Sequence, residues 1–373
     1  MNSDATTRLA EIREQIDTLD KQILDSLNKR AGLSREVGQI KSDSLDIVFK
    51  PFREKEVLNR LNAMSPGILP EDHLRAIYRE ILSSSRRLQQ PQTVAYLGPE
   101  GTFTHLAGLE YLGRSMDFTS CPTLHDVFLT VSSRKADLGV IPLENSLQGS
   151  VGQSLDLFLQ YDVYIHAELF SRISHALLSA GSDLGAVRTV YSHPQALAQC
   201  SGWLRTNVPQ ASVVPTESTA AAAAQAEREG PGTAAIGHPR LVERYGLKAV
   251  VQDIQDLPDN WTRFLVIGST PTQGSSRDKT SLLFTTPDRP GALAAILNLL
   301  AGQGLNLTKL ESRPLKGEKW KYVFFMDVEC DLSQEQYENT MKHLTGLCHT
   351  MRVLGSYPSG PHLHGAGVTQ EPS

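Results

Sequence analysis

Apolar residues recur at alternating steps of three and four through Leu9, Ile12, Ile16, Leu19 and Ile23, and the register returns at Leu33, Val37 and Ile40. That period predicts one long amphipathic helix. The same register carries Ser26 and Arg30 into the apolar seam, where a guanidinium needs an anionic partner. Lys50-Pro51 and Ser65-Pro66-Gly67 bracket a second helix, with Pro51 in its first turn beside Arg53 and Glu54. A third helix spans about residues 72–89, with Ser85 and Gln89 one turn apart on one face and Pro91 closing the segment.

After Pro91 the period changes. Residues 93–97 read as a compact strand, and Gly98-Pro99-Glu100-Gly101-Thr102-Phe103 as a turn into a helix. Free N–H groups at that helix start, with the Thr102 and Thr104 hydroxyls, form a cradle suited to a carboxylate. The order of apolar strand, polar end and helix then repeats. It recurs at Pro142-Leu143-Glu144-Asn145-Ser146, at Tyr191-Ser192-His193-Pro194-Gln195 and at Thr216-Glu217-Ser218-Thr219, the last before an alanine run that predicts a tightly packed helix. Asn260-Trp261-Thr262-Arg263-Phe264 leads into a final apolar strand at 265–268. This alternation predicts an α/β unit, and polar strand ends are where such sheets place their sites. Several of them together predict two lobes with a cleft between.

Beyond a short polar linker at 274–278, the pattern reads strand 280–285, helix 290–301, strands 306–314 and 320–329, helix 333–344 and strand 351–357. The order βαββαβ is ferredoxin-like. From Ser359 the chain is rich in Gly, Pro and His, which predicts a disordered tail; His362 and His364 alone do not make a metal site.

The 373 residues suffice for two to three domains at roughly 100–200 residues each. A net charge of −5 and the absence of any sustained Lys/Arg run argue against nucleic acid or a membrane surface as partner, while leaving room for local anion pockets. The four cysteines show no CxxC spacing and suit a reducing cytosol. With no apolar leader and no long hydrophobic span, the expectation is a cytoplasmic protein.

Arg30 and Lys41 share a helix face about 16 Å apart along the axis, so long side chains can close on one small dianion. Arg13 lies about 25 Å before Arg30 and reaches that anion only from a second chain, which predicts a dimer with shared sites. On Arg13, Arg30, Lys41, Arg53, Glu54, Ser85 and Gln89 the segment resembles the helical chorismate mutase family, at the mutase end of the bifunctional P-proteins. The resemblance implies a pericyclic rearrangement of chorismate to prephenate, which needs fixed geometry and positive charge near the breaking ether oxygen rather than a nucleophile or metal. Arginines clamp the two carboxylates. Lys41, and the Gln89 amide with a protonated Glu54, donate to the ether oxygen. Lys50 stands where some relatives have an Asp.

Residues 92–272 resemble prephenate dehydratase on the five polar motifs above, ending at Thr262-Arg263-Phe264. The family fold is similar to that of type II periplasmic binding proteins. Its activity would expel the ring carboxylate as CO2 and the C4 hydroxyl as water. Thr262 is then the essential residue that hydrogen-bonds or relays a proton to the departing hydroxyl, and Arg263 holds a substrate carboxylate. Glu144 or Glu217 supplies polarity or protonation, without a ranking between them. Thr102, Asn145, Ser192, His193 and Phe264 complete the expected cleft. No cofactor is implied.

Asp288-Arg289-Pro290-Gly291-Ala292-Leu293 and Glu311-Ser312-Arg313-Pro314 resemble the effector motifs of an ACT domain. They imply L-phenylalanine as feedback inhibitor, bound near Gly291, Ala292, Leu293 and Glu311, Ser312, Arg313, Pro314 at a domain dimer interface. The whole chain thus reads as an all-α mutase domain at 1–91, a two-lobed α/β dehydratase domain at 92–272, a ferredoxin-like ACT domain at 278–358 and a tail at 359–373. It would make phenylpyruvate from chorismate as a homodimer, with pairing into tetramers left open. Two competing readings are a dehydratase whose N-terminal segment is an inactive dimerisation module, and a non-enzymatic amino-acid sensor.

Overall fold

A computed structural model describes residues 3–41, 48–272, 277–315 and 322–363. The apolar stripe at the N-terminus becomes α1 (Ser3–Ile40), followed by α2 (Pro51–Met64) and α3 (Glu71–Gln89). Pro51 takes the first turn of α2, where a missing N–H leaves no bond unmade. Residues 5–29 of α1 are exposed throughout, and cover begins at Arg30, where the helix meets α3. Gly38 permits the approach: a Cβ there would lie 2.5 Å from the Gln89 carbonyl oxygen.

The chain then builds a first lobe from β1 (Thr93–Leu97), α4 (Phe103–Leu112), β2 (Asp117–Cys121), α5 (Leu124–Ser132), β3 (Leu138–Asn145), β4 (Gly149–Ser150), α6 (Gly152–Gln160) and β5 (Tyr164–Arg172). It crosses into a second lobe as β6 (Ala176–Ser179), β7 (Thr189–Ser192), α7 (Pro194–Gln199), α8 (Ser201–Asn207), β8 (Ser212–Pro215), α9 (Thr219–Glu229), β9 (Thr233–Gly237), α10 (Leu241–Tyr245) and β10 (Lys248–Val251). It returns to the first lobe as β11 (Trp261–Gly268), which lies between β5 and β3. The second sheet runs β10-β6-β9-β7-β8. Thr102, Thr123 and Ser218 open α4, α5 and α9 by accepting an N–H from three residues on. The alanine run packs as its composition predicts, with Ala220, Ala222, Ala223 and Ala226 fully buried on α9.

Beyond the lobes, β12 (Lys279–Thr285), α11 (Ala292–Gly302), β13 (Leu307–Pro314), β14 (Tyr322–Val328), α12 (Glu338–Leu347) and β15 (Thr350–Tyr357) form an antiparallel sheet ordered β13-β14-β12-β15. This is the ferredoxin-like arrangement. One sheet face packs under α11 and α12, with Leu282, Phe284, Ile296, Leu300, Met326 and Leu344 at its centre. The other face shares a core with the first lobe, where Leu283, Phe325 and Leu354 meet Ile141, Ile165 and Leu265. Gly355 and Gly360 allow the contact, since a Cβ at either would fall 2.2 Å and 2.0 Å from the carbonyl oxygens of Ile165 and Glu168 respectively.

The disorder expected from Ser359 does not hold for residues 359–363, which pack on the first lobe. Phe170 donates its N–H to the Pro361 carbonyl at 3.0 Å, and β16 (His362–Leu363) adds a parallel edge strand to β5. His362 stacks on Phe170 with ring centroids 4.7 Å apart. The remainder, with His364, lies outside the described residues, as do positions 274–276 of the linker and the start of the strand expected at 320. Among the described residues, no helix is long and apolar enough to cross a membrane.

Candidate active sites

In the helical unit, α1 and α3 bring Arg30 against Ser85. The guanidinium donates to Ser85 Oγ and, at 3.5 Å, to the Ile81 carbonyl. Ser85 donates in turn to that carbonyl at 2.8 Å. Among the described residues these partners are neutral, so the Arg30 charge stays available to an anion. Gln89 follows one turn on, beside Gly38, and Lys41 is half-buried at the end of α1. Arg13 and Arg53 are exposed, and Lys50 sits at the N-cap position of α2.

Glu54 departs from expectation. Its carboxylate is ion-paired with the buried Arg86, which also donates to the Leu112 carbonyl of α4 and lies 5.4 Å over the Phe49 ring. A carboxylate so paired is an acceptor, which leaves Lys41 and Gln89 as the expected donors to an ether oxygen. Arg86 escaped the sequence reading because periodicity alone does not separate it from its exposed neighbour Arg87.

In the α/β unit, β3 and β11 pair antiparallel with Asn145 opposite Thr262 and Glu144 opposite Arg263. Successive strand residues face opposite ways. Asn145 and Thr262 therefore turn to the junction of the two lobes. Asn145 Oδ1 accepts the backbone N–H groups of Leu147 and Gln148 at 3.1 and 3.2 Å. A backbone N–H only donates, so the amide orientation is fixed and Nδ2 faces Thr262 Oγ1 at 3.0 Å and Asn260 Oδ1 at 2.7 Å. Asn260 Nδ2 must then donate to Gln199 Oε1, 3.0 Å away, and the same oxygen accepts His175 Nε2–H at 2.8 Å. Burial holds the His175 pKa below its usual value, in keeping with a neutral ring. Asn260, Gln199 and His175 were missed as a set because three separate loops and helices converge on them.

Other expected residues keep their places in different roles. Thr102 clasps its own turn, donating to the Leu97 carbonyl at 2.9 Å and capping α4. The expected carboxylate cradle is partly filled, since the Gly101 N–H donates to His105 Nδ1 at 3.1 Å. Ser192 is buried and donates to the Ile236 carbonyl at 2.7 Å, inside the second sheet. His193 caps α7 through Nδ1, its pKa lowered by burial, and beside it Gln195 reaches across the lobes to Gln148. Glu217 is exposed at the start of α9.

Three residues are corrected outright. Phe264 is buried in the first-lobe core with Val94, Ala107 and Val266, so it lines no cleft. Arg263 points to the opposite face from Thr262, where Nη1 meets Asp327 at 2.6 Å and Nη2 meets Glu168 at 2.7 Å. Its terminal nitrogens are committed there and do not hold a substrate carboxylate. Glu144, on that same face, pairs with Lys309 at 2.9 Å.

The effector motifs are likewise divided. Gly291, Ala292 and Leu293 line a cavity of about 770 Å³ in the ferredoxin-like unit, together with Asp288, Met351 and Arg352. Glu311 and Arg313 instead turn onto the first lobe. Glu311 bonds Ser150, and Arg313 sits against Gly152 with Asp156 at 3.5 Å. Ser312 and Pro314 are exposed on the other side of that strand.

Comparison with known proteins agrees with this layout. Residues 12–90 match the family chorismate mutase type II, residues 94–272 prephenate dehydratase and residues 280–342 the ACT domain. The bifunctional chorismate mutase/prephenate dehydratase of Aquifex aeolicus is 43% identical, across 94% of this chain and 98% of that protein. Among solved structures, the prephenate dehydratase of Arthrobacter aurescens in complex with L-Phe superposes with a TM-score of 0.65 at 31% identity, covering 71% of this chain and 90% of that one. GqqA, described as a novel type of quorum quenching acylase, superposes with a TM-score of 0.66 at 29% identity, covering 72% of this chain and 98% of its own. The chain belongs to the bifunctional chorismate mutase/prephenate dehydratase family, with an ACT domain following the dehydratase lobes.

Proposed function

We propose that the two activities occupy separate sites and that Thr262, held by Asn145, is the working hydroxyl of the second. The observation that carries this is the fixed Asn145 amide. Because Nδ2 donates to Thr262 Oγ1, the threonine oxygen already has a donor and its own proton is free for a ligand at the lobe junction. In the dehydratase step the C–C bond to the ring carboxylate breaks, CO2 leaves, and the electron pair moves into the ring as C4–O breaks. The departing hydroxide takes a proton from Thr262 and leaves as water, and a proton from solvent restores the threonine hydroxyl.

For the mutase step, Arg30, Ser85 and Gln89 line one wall, with Lys41 closing it, and no group needs to bond covalently to substrate. Arg13 serves the site of a second chain. The exposed stripe of α1 supports that reading: Ile16, Leu19 and Ile23 are 50%, 55% and 56% exposed. Covering such half-exposed side chains contributes about 1 kcal/mol each, and a second α1 carries the matching stripe. The protein is accordingly a cytoplasmic homodimer, divided at about residues 91 and 272. L-Phenylalanine binds the ACT domain near Gly291, Ala292 and Leu293, joined by a second chain's Ser312 and Pro314 on the exposed side of β13, and restrains the dehydratase.

A coupled assay tests this reading. Purified protein given chorismate alone should form phenylpyruvate, more slowly when L-phenylalanine is added. Accumulation of prephenate as the end product would sink the dehydratase half, and no turnover of chorismate would favour an inactive helical module.

A further inference from the structure

The residues paired beside the catalytic couple face the ACT domain. Strand alternation sends Asn145 and Thr262 to the cleft, and it sends Glu144 and Arg263, opposite one another in the next register position, to the other face of the sheet. There the ACT sheet is waiting with complementary charge. Arg263 meets Asp327 of β14, Glu168 of β5 and, at 3.1 Å, the Tyr357 hydroxyl of β15. Lys279 of β12 donates to both Glu168 oxygens at 2.7 and 3.0 Å. Ser281 donates to Asp327 at 2.5 Å and lies 2.6 Å from Tyr357. Two cations and two carboxylates thus balance in a cluster that is almost fully buried.

The other half of the couple is held from the same side. Lys309 of β13 pairs with Glu144 at 2.9 Å, with Glu311 at 3.1 Å, and donates to Ser150 at 2.6 Å. Ser150 lies in β4, just after Leu147 and Gln148, the two residues whose N–H groups set the Asn145 amide. Two side chains of one ACT strand, Lys309 and Glu311, therefore hold Ser150 just beyond the residues that orient Asn145, and Arg313 of the same strand sits against Gly152 and Asp156 after it.

A buried ion cluster adds little net stability compared with apolar packing, but it admits one arrangement, because an unpaired charge left behind is strongly penalised. Domain glue alone does not require the cluster to fall on the two residues adjoining the reactive pair. We propose that Arg263 and Glu144 are positioning residues for dehydration, fixed by Asp327, Tyr357 and Lys309, so that the ACT domain forms the back wall of the dehydratase site. The proposal rests on Thr262 as the working hydroxyl. It also gives the effector strand a route to Asn145 that bypasses the linker.

The test uses the full-length chain and reads both activities in each preparation. Asp327→Asn keeps side-chain shape and removes the charge facing Arg263. It should lower dehydratase kcat roughly tenfold or more with prephenate KM within about twofold, the signature of lost alignment rather than lost binding. Mutase turnover should stay at the wild-type rate, which also reports folding. Lys309→Gln should act in the same direction, and Lys309→Arg should restore most of the rate. If Asp327→Asn does not fold, Lys309→Gln and Lys309→Arg decide alone. Unchanged dehydratase kcat in the folded variants, or a loss confined to KM, overturns the proposal. Thr262→Ala separates the two ideas: persistence of dehydration in that variant refutes the Thr262 assignment, whereas an inactive Thr262→Ala beside normal Asp327→Asn and Lys309→Gln refutes only the back wall.

Discussion

The Asn145 amide nitrogen lies 3.0 Å from the Thr262 hydroxyl oxygen, and the backbone N–H groups of Leu147 and Gln148 leave that amide a single orientation. Replacing it with a carboxylate of the same shape turns the donor into an acceptor. In Asn145→Asp the threonine proton would be drawn to Asp and withheld from substrate. Dehydratase kcat should fall by roughly a hundredfold or more, the usual scale of a lost proton donor, while chorismate mutase turnover holds. Steady-state kinetics on prephenate and chorismate check both halves.

Arg30 reaches Ser85 across the α1–α3 contact. Arg30→Ala should reduce mutase kcat/KM by roughly 10²- to 10³-fold, as loss of a fixed charge at a reacting site does, with dehydratase kinetics intact. Gly38→Ala makes a subtler case, since its methyl would meet the Gln89 backbone. That variant should also lose mutase rate selectively.

A mixing experiment tests whether the mutase sites are shared between two chains. Arg13→Ala and Arg30→Ala chains should each be poor mutases, yet a hybrid dimer of the two holds one intact site and one doubly impaired site. With free exchange of subunits, half the dimers are hybrids, so about a quarter of wild-type mutase activity should return, as two-fold symmetry requires. No recovery would assign Arg13 to its own chain or to no site.

Much of this was legible in the chain. Periodicity alone gives the long α1 helix, the switch to α/β at Pro91 and the βαββαβ order, since each rests on local spacing of apolar residues. Thr262 and Asn145, which the fold brings into contact, both stand in motifs at strand ends. The errors have one cause. Arg263, Glu144, Phe264, Glu311 and Arg313 were read as ligand-facing because they stand in or beside polar motifs on strands. Which face of a strand meets solvent and which meets another domain depends on long-range packing. The Arg263 guanidinium found its carboxylates in Glu168 and Asp327, each many residues away along the chain. The contact of Lys309 with Glu144, which ties the ACT sheet to the strand carrying Asn145, is likewise invisible in local spacing.

His166 is fully buried with its Nε2 at 2.8 Å from the Thr270 carbonyl, and burial lowers its pKa to about 4. The folded state therefore binds fewer protons than the unfolded chain below the ordinary histidine value. The stabilisation is complete above about pH 6.5 and drains as pH falls toward about 4. Between pH 7.5 and 5.0 this histidine should account for about 2 kcal/mol of lost stability. Urea unfolding of wild type and His166→Gln at the two pH values should show a smaller difference in the variant, and equal differences would contradict the assignment.

The most direct test of two separate sites with Thr262 at the second is to give Thr262→Ala protein chorismate and follow both products. The account predicts prephenate accumulating at the wild-type rate with phenylpyruvate formation abolished. Continued formation of phenylpyruvate, or loss of prephenate formation along with it, would contradict it.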